Sequence, residues 1–191
     1  MKVALFVPGF FLFLCTMVLT IDAHSDGAPT SACVSQSPGH KNIVAQTTTP
    51  PYSIRVSGTT YKANQSLTVT ISGSFQGFLL QARTSGGTTP IGTFSGPPTD
   101  TKIFQCSAKN DSWTHANNNV KNDSSVLWNP PSADVGDITF LATVARGHDI
   151  YWLNIRSDVL TAAPGSTGTA ISTTTVMAMI FRCLMINYIY I

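Results

Sequence analysis

The chain has 191 residues, with 11 basic and 9 acidic side chains and a formal charge of +2. The acids are all Asp, and Lys and Arg are scattered, which excludes the clustered basic face of a nucleic-acid binder. Strong helix formers are scarce while Thr, Ser, Val and Ile abound, so composition favours strands over helices.

Met1-Lys2 is a short basic start, and Val3 to Leu19 is almost wholly apolar, with Phe6, Phe10, Phe11 and Phe13. Ala23 is a small residue at a cleavage position just before His24. This layout reads as a secretory signal peptide over 1–23, with an uncleaved anchor as the alternative. Cys15 leaves with it. Residues 24–163 then form one domain, long enough to bury a sizeable core.

Ser25 to Pro51 carries Pro29, Pro38, Pro50 and Pro51 and few periodic apolar residues. It is expected as an extended leader along the domain edge. Tyr52 to Ser57 alternates and reads as the first strand. Leu67 to Ser72 alternates again, with Leu67, Val69 and Ile71 facing inward. Phe75 to Arg83 reads as the next strand, and its organising stretch is Gly77 to Arg83, where Phe78, Leu80 and Ala82 share one face and Leu79, Gln81 and Arg83 the other. One apolar face and one mixed face suit a central strand of an antiparallel sandwich.

Ile91 to Phe94 reads as a short strand, and Lys102 to Cys106 as a strand carrying a bridge. Ala108 to Asp123 is polar and Asn-rich, and is expected as a long binding loop on a rigid scaffold. Val126 to Trp128 is a short strand. Asp137 to Ala145 places Ile138, Phe140, Ala142 and Val144 on one face. Ile150 to Ile155 is the last strand, with Trp152 opposite Tyr151, Leu153 and Ile155. About seven to nine short strands between Gly, Pro and Asn breaks predict an all-β fold, a single immunoglobulin-like antiparallel β-sandwich with one disulfide.

Residues 164–175 are rich in Gly, Ser and Thr and read as a linker. Residues 176–191 form a hydrophobic tail, shorter than the roughly 20 residues a helix needs to cross a bilayer. Borrowing from the linker would supply the length, but Arg182 then sits mid-span. Membrane attachment through the tail, a lipid-anchor signal near Gly165 and Ser166, and a truncated chain end all stay open. The protein is expected outside the cell, secreted or tethered to its surface.

Cys33 and Cys106 are the two cysteines within the domain. In a secreted domain they most simply pair, with two free thiols as the alternative. Asn64, Asn110 and Asn122 each begin an N-glycosylation sequon and mark exposed turns. Trp113, His115 and Trp128 are candidates for a ligand surface, with core packing as the simpler role of the indoles. Asp134 and Asp137 are close in sequence but read as turn residues rather than a catalytic pair. His24, His40, His115 and His148 lack helical metal-site spacing, and a structural hydrogen bond is the expected role for His40 and His115. No phosphate loop or nucleophile elbow is present, so no catalytic residue, metal or cofactor is expected.

Several motifs resemble the reeler (reelin-type) domain family. They are Gly27-Ala28-Pro29-Thr30-Ser31-Ala32-Cys33, Ser37-Pro38-Gly39-His40 and Gly77-Phe78-Leu79-Leu80-Gln81-Ala82-Arg83. Thr114-His115, Trp128-Asn129-Pro130-Pro131, Gly136 to Val144 and Tyr151-Trp152 continue the pattern in order, so the resemblance covers roughly residues 24–160. It implies a β-sandwich whose family cysteine pair falls on Cys33 and Cys106. It also implies a non-catalytic extracellular binding module, as in short defence proteins thought to bind microbial surfaces. Microbial cell-wall glycans are the partners that this expectation names. The alternative is a truncated or isoform ectodomain of a ferric-chelate-reductase-like membrane protein without its DOMON and cytochrome b561 parts. The chain carries no bundle of spanning helices with paired histidines for haem, so reductase chemistry is not expected of it alone.

Overall fold

The computed structural model describes residues 25–164. The expected signal peptide, nearly all of the linker and the hydrophobic tail lie outside the described residues.

Alternating Val, Ile, Thr and aromatic residues give strands because one face of each can be buried while the other is solvated or covered. The strands are β1 (Ser53–Val56), β2 (Thr60–Tyr61), β3 (Leu67–Phe75), β4 (Gly77–Thr84), β5 (Thr93–Ser95) and β6 (Thr101–Phe104). They continue with β7 (Ser112–His115), β8 (Lys121–Asn129), β9 (Ile138–Gly147), β10 (Ile150–Arg156) and β11 (Thr161–Ala162). A single-turn helix, α1 (Ala32–Ser35), interrupts the leader.

Two antiparallel sheets pack face to face, one in the order β1-β3-β8-β5 and the other β10-β9-β4-β7-β6. β4 is central, as expected. It pairs with β9 from Gly77↔Ala145 to Thr84↔Ile138, and on its other side with β7. β11 adds a short parallel pair with β2. Val69, Ile71 and Phe75 from one sheet meet Phe78, Leu80, Trp113, Phe140 and Val144 from the other in one buried core. Aromatic edges meet faces between the sheets, Phe75 to Phe78 at 5.5 Å and Trp128 to Phe140 at 5.1 Å between ring centroids.

Three expectations need correction. Residues 108–123 are not one long loop, because they contain β7, an interior strand of the five-stranded sheet. Its polar residues Ser112 and Thr114, and Asp111 just before it, have no exposed area. β8 begins at Lys121 rather than Val126: its polar start pairs with β3, with Asn122, Asp123 and Ser125 exposed and Lys121 and Ser124 buried. In β10, Trp152 and Ile155 both enter the core. A register shift falls between them, and Asn154 adopts φ 59°, so a bulge breaks the strict alternation.

The leader does more than follow an edge. It lies over the outer face of the five-stranded sheet, and the side chains it covers define the site below.

Candidate functional site

Leu79, Gln81 and Arg83 point away from the sandwich core, yet they are 3%, 0% and 6% exposed. The leader seals them. Cys33 and Cys106 form a disulfide with Cα atoms 5.5 Å apart and a sequence separation of 73. Cys106 lies just beyond β6 rather than within it. The bond ties α1 to the loop after β6 on the outside of the sheet.

Polar groups buried beneath the leader are joined in a network, as buried polarity requires. Arg83 donates to Cys33 O at 2.6 Å, to Val34 O at 3.2 Å and to Gln81 Oε1. Gln81 Nε2 donates to Ser112 Oγ at 3.0 Å and reaches Cys106 Sγ at 3.1 Å. Gln36 Nε2 donates to Gln81 Oε1 at 3.2 Å and to Leu141 O at 3.3 Å. Thr143 Oγ1 donates to Gln36 O at 2.7 Å. Burial, and then the Arg156 charge, pull the Arg83 pKa below its ordinary value. One network thus joins leader, disulfide, β4, β7 and β9.

Asp111 anchors the loop beside the disulfide. Its carboxylate accepts from the N–H groups of Cys106, Ser107 and Ala108 at 2.8, 2.7 and 2.6 Å. Burial alone would raise its pKa, but these N–H groups and the Ser107 hydroxyl outweigh burial and hold it below the usual carboxylate range.

At the Gly77 end of β4 the leader and sheet diverge. They leave a half-open pocket of about 170 Å³. Ala28, Ala32, Phe78, Leu79 and Ala145 supply apolar wall, with Gln36, His40, His115 and His148 among the polar lining. His40 stacks on His148 with ring centroids 4.5 Å apart and meets the edge of Tyr151 at 5.8 Å. His148 Nδ1 also pairs with Asp149. His115 Nδ1 lies 3.2 Å from the Phe78 N–H and 3.1 Å from Thr114 Oγ1. His40 and His115 therefore share one pocket, and the contacts of each include the surrounding framework.

Two of the three candidates for a ligand surface take the simpler role of core packing. Trp113 and Trp128 have no exposed area. Trp113 packs on Phe78 with centroids 4.5 Å apart, and Trp128 donates to Ile91 O at 3.0 Å. Both sit at inward positions of their strands, so the fold uses them as core. His115, the third candidate, does line the pocket. Asn64, Asn110 and Asn122 are all exposed. Asp134 is a turn residue, accepting from Gly136 N at 2.8 Å and Tyr61 OH at 3.2 Å. Among the described residues no three His, Cys, Asp or Glu side chains are grouped to hold a metal ion, and no helix is long and apolar enough to cross a membrane.

The sequence reading missed Gln36 and the network role of Gln81 and Arg83. The signal was available: an amide and a guanidinium at the outward positions of an otherwise apolar central strand.

This sandwich with a strapped outer face has known relatives. The chain is 34% identical over 143 residues to "Defense protein l(2)34Fc" of Drosophila melanogaster, which covers 72% of this chain and 87% of that protein. It is 31% identical over 163 residues to "Putative ferric-chelate reductase 1" of Danio rerio, covering 82% of this chain but only 28% of that protein. Among solved structures, the Reelin-N domain of F-spondin superposes with a TM-score of 0.52 at 22% identity, over 63% of this chain and 92% of that one. The family pattern of the reeler domain matches residues 31–167. The match spans most of the described residues, and the chain belongs to the reeler domain family.

Proposed function

We propose that this protein is an extracellular, non-catalytic binding module of innate defence that recognises microbial surface material at the seam between leader and sheet. The observation that carries this reading is the extent of the match to the Drosophila defence protein, which spans 87% of that protein. The seam supports it, because a strapped and largely apolar pocket on a rigid sheet is a binding feature. Tethering through the 176–191 tail belongs to the same proposal. Fractionating expressing cells would show the protein in medium or membrane.

The decisive test is retention of the purified chain on lipopolysaccharide or β-glucan, against an unrelated β-sandwich. Enrichment over that control is expected, and equal retention would overturn the reading. A second reading, an accessory ectodomain related to ferric reductases, is favoured by the 31% identity to the zebrafish protein. It expects longer transcripts that encode DOMON and cytochrome b561 regions, and a genomic frame without them removes it.

A further inference from the structure

We propose that the pocket at the leader–sheet seam takes a small uncharged ring with one hydroxyl or N–H donor, of phenol size, and that Gln36 Oε1 receives the donor. This ligand chemistry rests on the seam being the module's binding site.

Three observations lead there. The first is size and wall chemistry. About 170 Å³ is close to the roughly 150 Å³ of an engineered apolar cavity that takes benzene. His40 and His148 line the pocket with their rings stacked 4.5 Å apart, and rings meet rings well edge to face or offset.

The second is charge. Among the described residues no Asp, Lys or Arg lines the pocket, and histidine is the titratable type there. An anionic or strongly cationic ligand would lose its hydration without gaining a partner ion.

The third is an orphaned acceptor. Gln36 is 3% exposed and lines the pocket. Its Nε2 is committed to Gln81 Oε1 and Leu141 O, both acceptors, which fixes the orientation of the amide. That leaves Gln36 Oε1 buried with no donor among the described residues. A buried acceptor without a donor is costly, and a ligand that brings one removes that cost. A carboxylate would set oxygen against oxygen, so a neutral donor is selected.

The test titrates phenol and toluene into the full chain as recovered from expressing cells, by calorimetry, with a Gly77→Leu variant beside the wild type. A Cβ on Gly77 would meet His115 and Ala145 at 3.5–3.6 Å, ordinary contact, so the added side chain can enter the pocket without breaking the strand. Phenol is expected to bind saturably, about tenfold or more tighter than toluene. Gly77→Leu should abolish phenol binding while still melting cooperatively. If that variant does not fold, Ala145→Leu narrows the same space and carries the same expectation. Equal affinity for the two rings, or undiminished phenol binding in the folded filled variant, would overturn the proposal. If wild type binds phenol but not cell-wall material, the recognition reading falls and the ligand chemistry stands. If it binds cell-wall material but not phenol, the ligand chemistry falls and the module reading stands.

Discussion

Arg83 Nη2 donates to the carbonyl oxygen of Cys33 at 2.6 Å, so a cation on the central strand holds the leader backbone at the residue that forms the disulfide. The strap is therefore fastened twice at one point, once covalently and once by a charge-assisted hydrogen bond. Arg83→Met keeps the stem and removes the fork, leaving the Cys33 and Val34 carbonyls without their donor. It should cost about 2–4 kcal/mol in urea unfolding and speed amide exchange over residues 32–36. Arg83→Lys should not restore it, because an ammonium cannot reach all three acceptors in the plane of the guanidinium.

The disulfide makes the second attachment. Closing a loop with a separation of 73 residues is expected to contribute roughly 4 kcal/mol through the unfolded chain. The double replacement Cys33→Ser with Cys106→Ser should lower the unfolding free energy by about that amount. A loss much smaller than that would show that the Arg83 network alone holds the leader in place.

Asp111 should make the domain acid-sensitive. Its folded pKa lies below the unfolded value, so its contribution is fully present above the unfolded pKa of about 4 and is lost as pH falls through the folded value. Stability measured between about pH 5 and pH 2 should therefore fall, and Asp111→Asn should flatten part of that slope. An unchanged slope in the variant would assign the acid sensitivity to other carboxylates.

The Asn110 sequon can be removed in two ways that should not be equivalent. Ser112 Oγ accepts from Gln81 and donates to Asp111 beneath the leader, whereas Asn110 is exposed. Asn110→Asp should remove any glycan with a stability change within about 0.5 kcal/mol. Ser112→Ala should remove the same glycan and cost about 1–3 kcal/mol. Gel mobility after glycosidase treatment reports the glycan, and denaturant midpoints report the stability.

Phe140 has no exposed area and packs on Trp128 across the sandwich. Phe140→Ala should cost about 3–5 kcal/mol in the same denaturant assay. A loss below about 1.5 kcal/mol would mean that the core collapses around the gap.

Much of the sandwich was legible because its strands obey a period of two. Val69, Ile71, Phe78, Leu80, Phe140 and Val144 fall where alternation puts them, in the core. The failures share a cause. β7 and the start of β8 look like loop because their Asp, Ser, Thr and Asn residues suggest solvent. In fact Ser112 and Thr114 are buried by the leader, a segment nearly 80 residues earlier in the chain whose cover no local pattern announces. The bulge in β10 rests on Asn154 at positive φ, which alternation cannot register. The site was half-legible: His115 was singled out, but Gln36 acquires meaning through contacts with Gln81 and Leu141, far away in sequence.

The short parallel pairing of β11 with β2 fixes the direction in which the polypeptide departs. Ala163 bonds to Tyr61, and Tyr61 bonds to Gly136, just ahead of β9, while the pocket lies at the far terminus of that same strand, beside Ala145 and Gly147. Ala145 stands seven positions beyond Ile138 along β9, a span of about 23 Å. The last described residues therefore lie at the opposite end of β9 from the pocket, so a tether joined at residue 164 would start well clear of the open mouth.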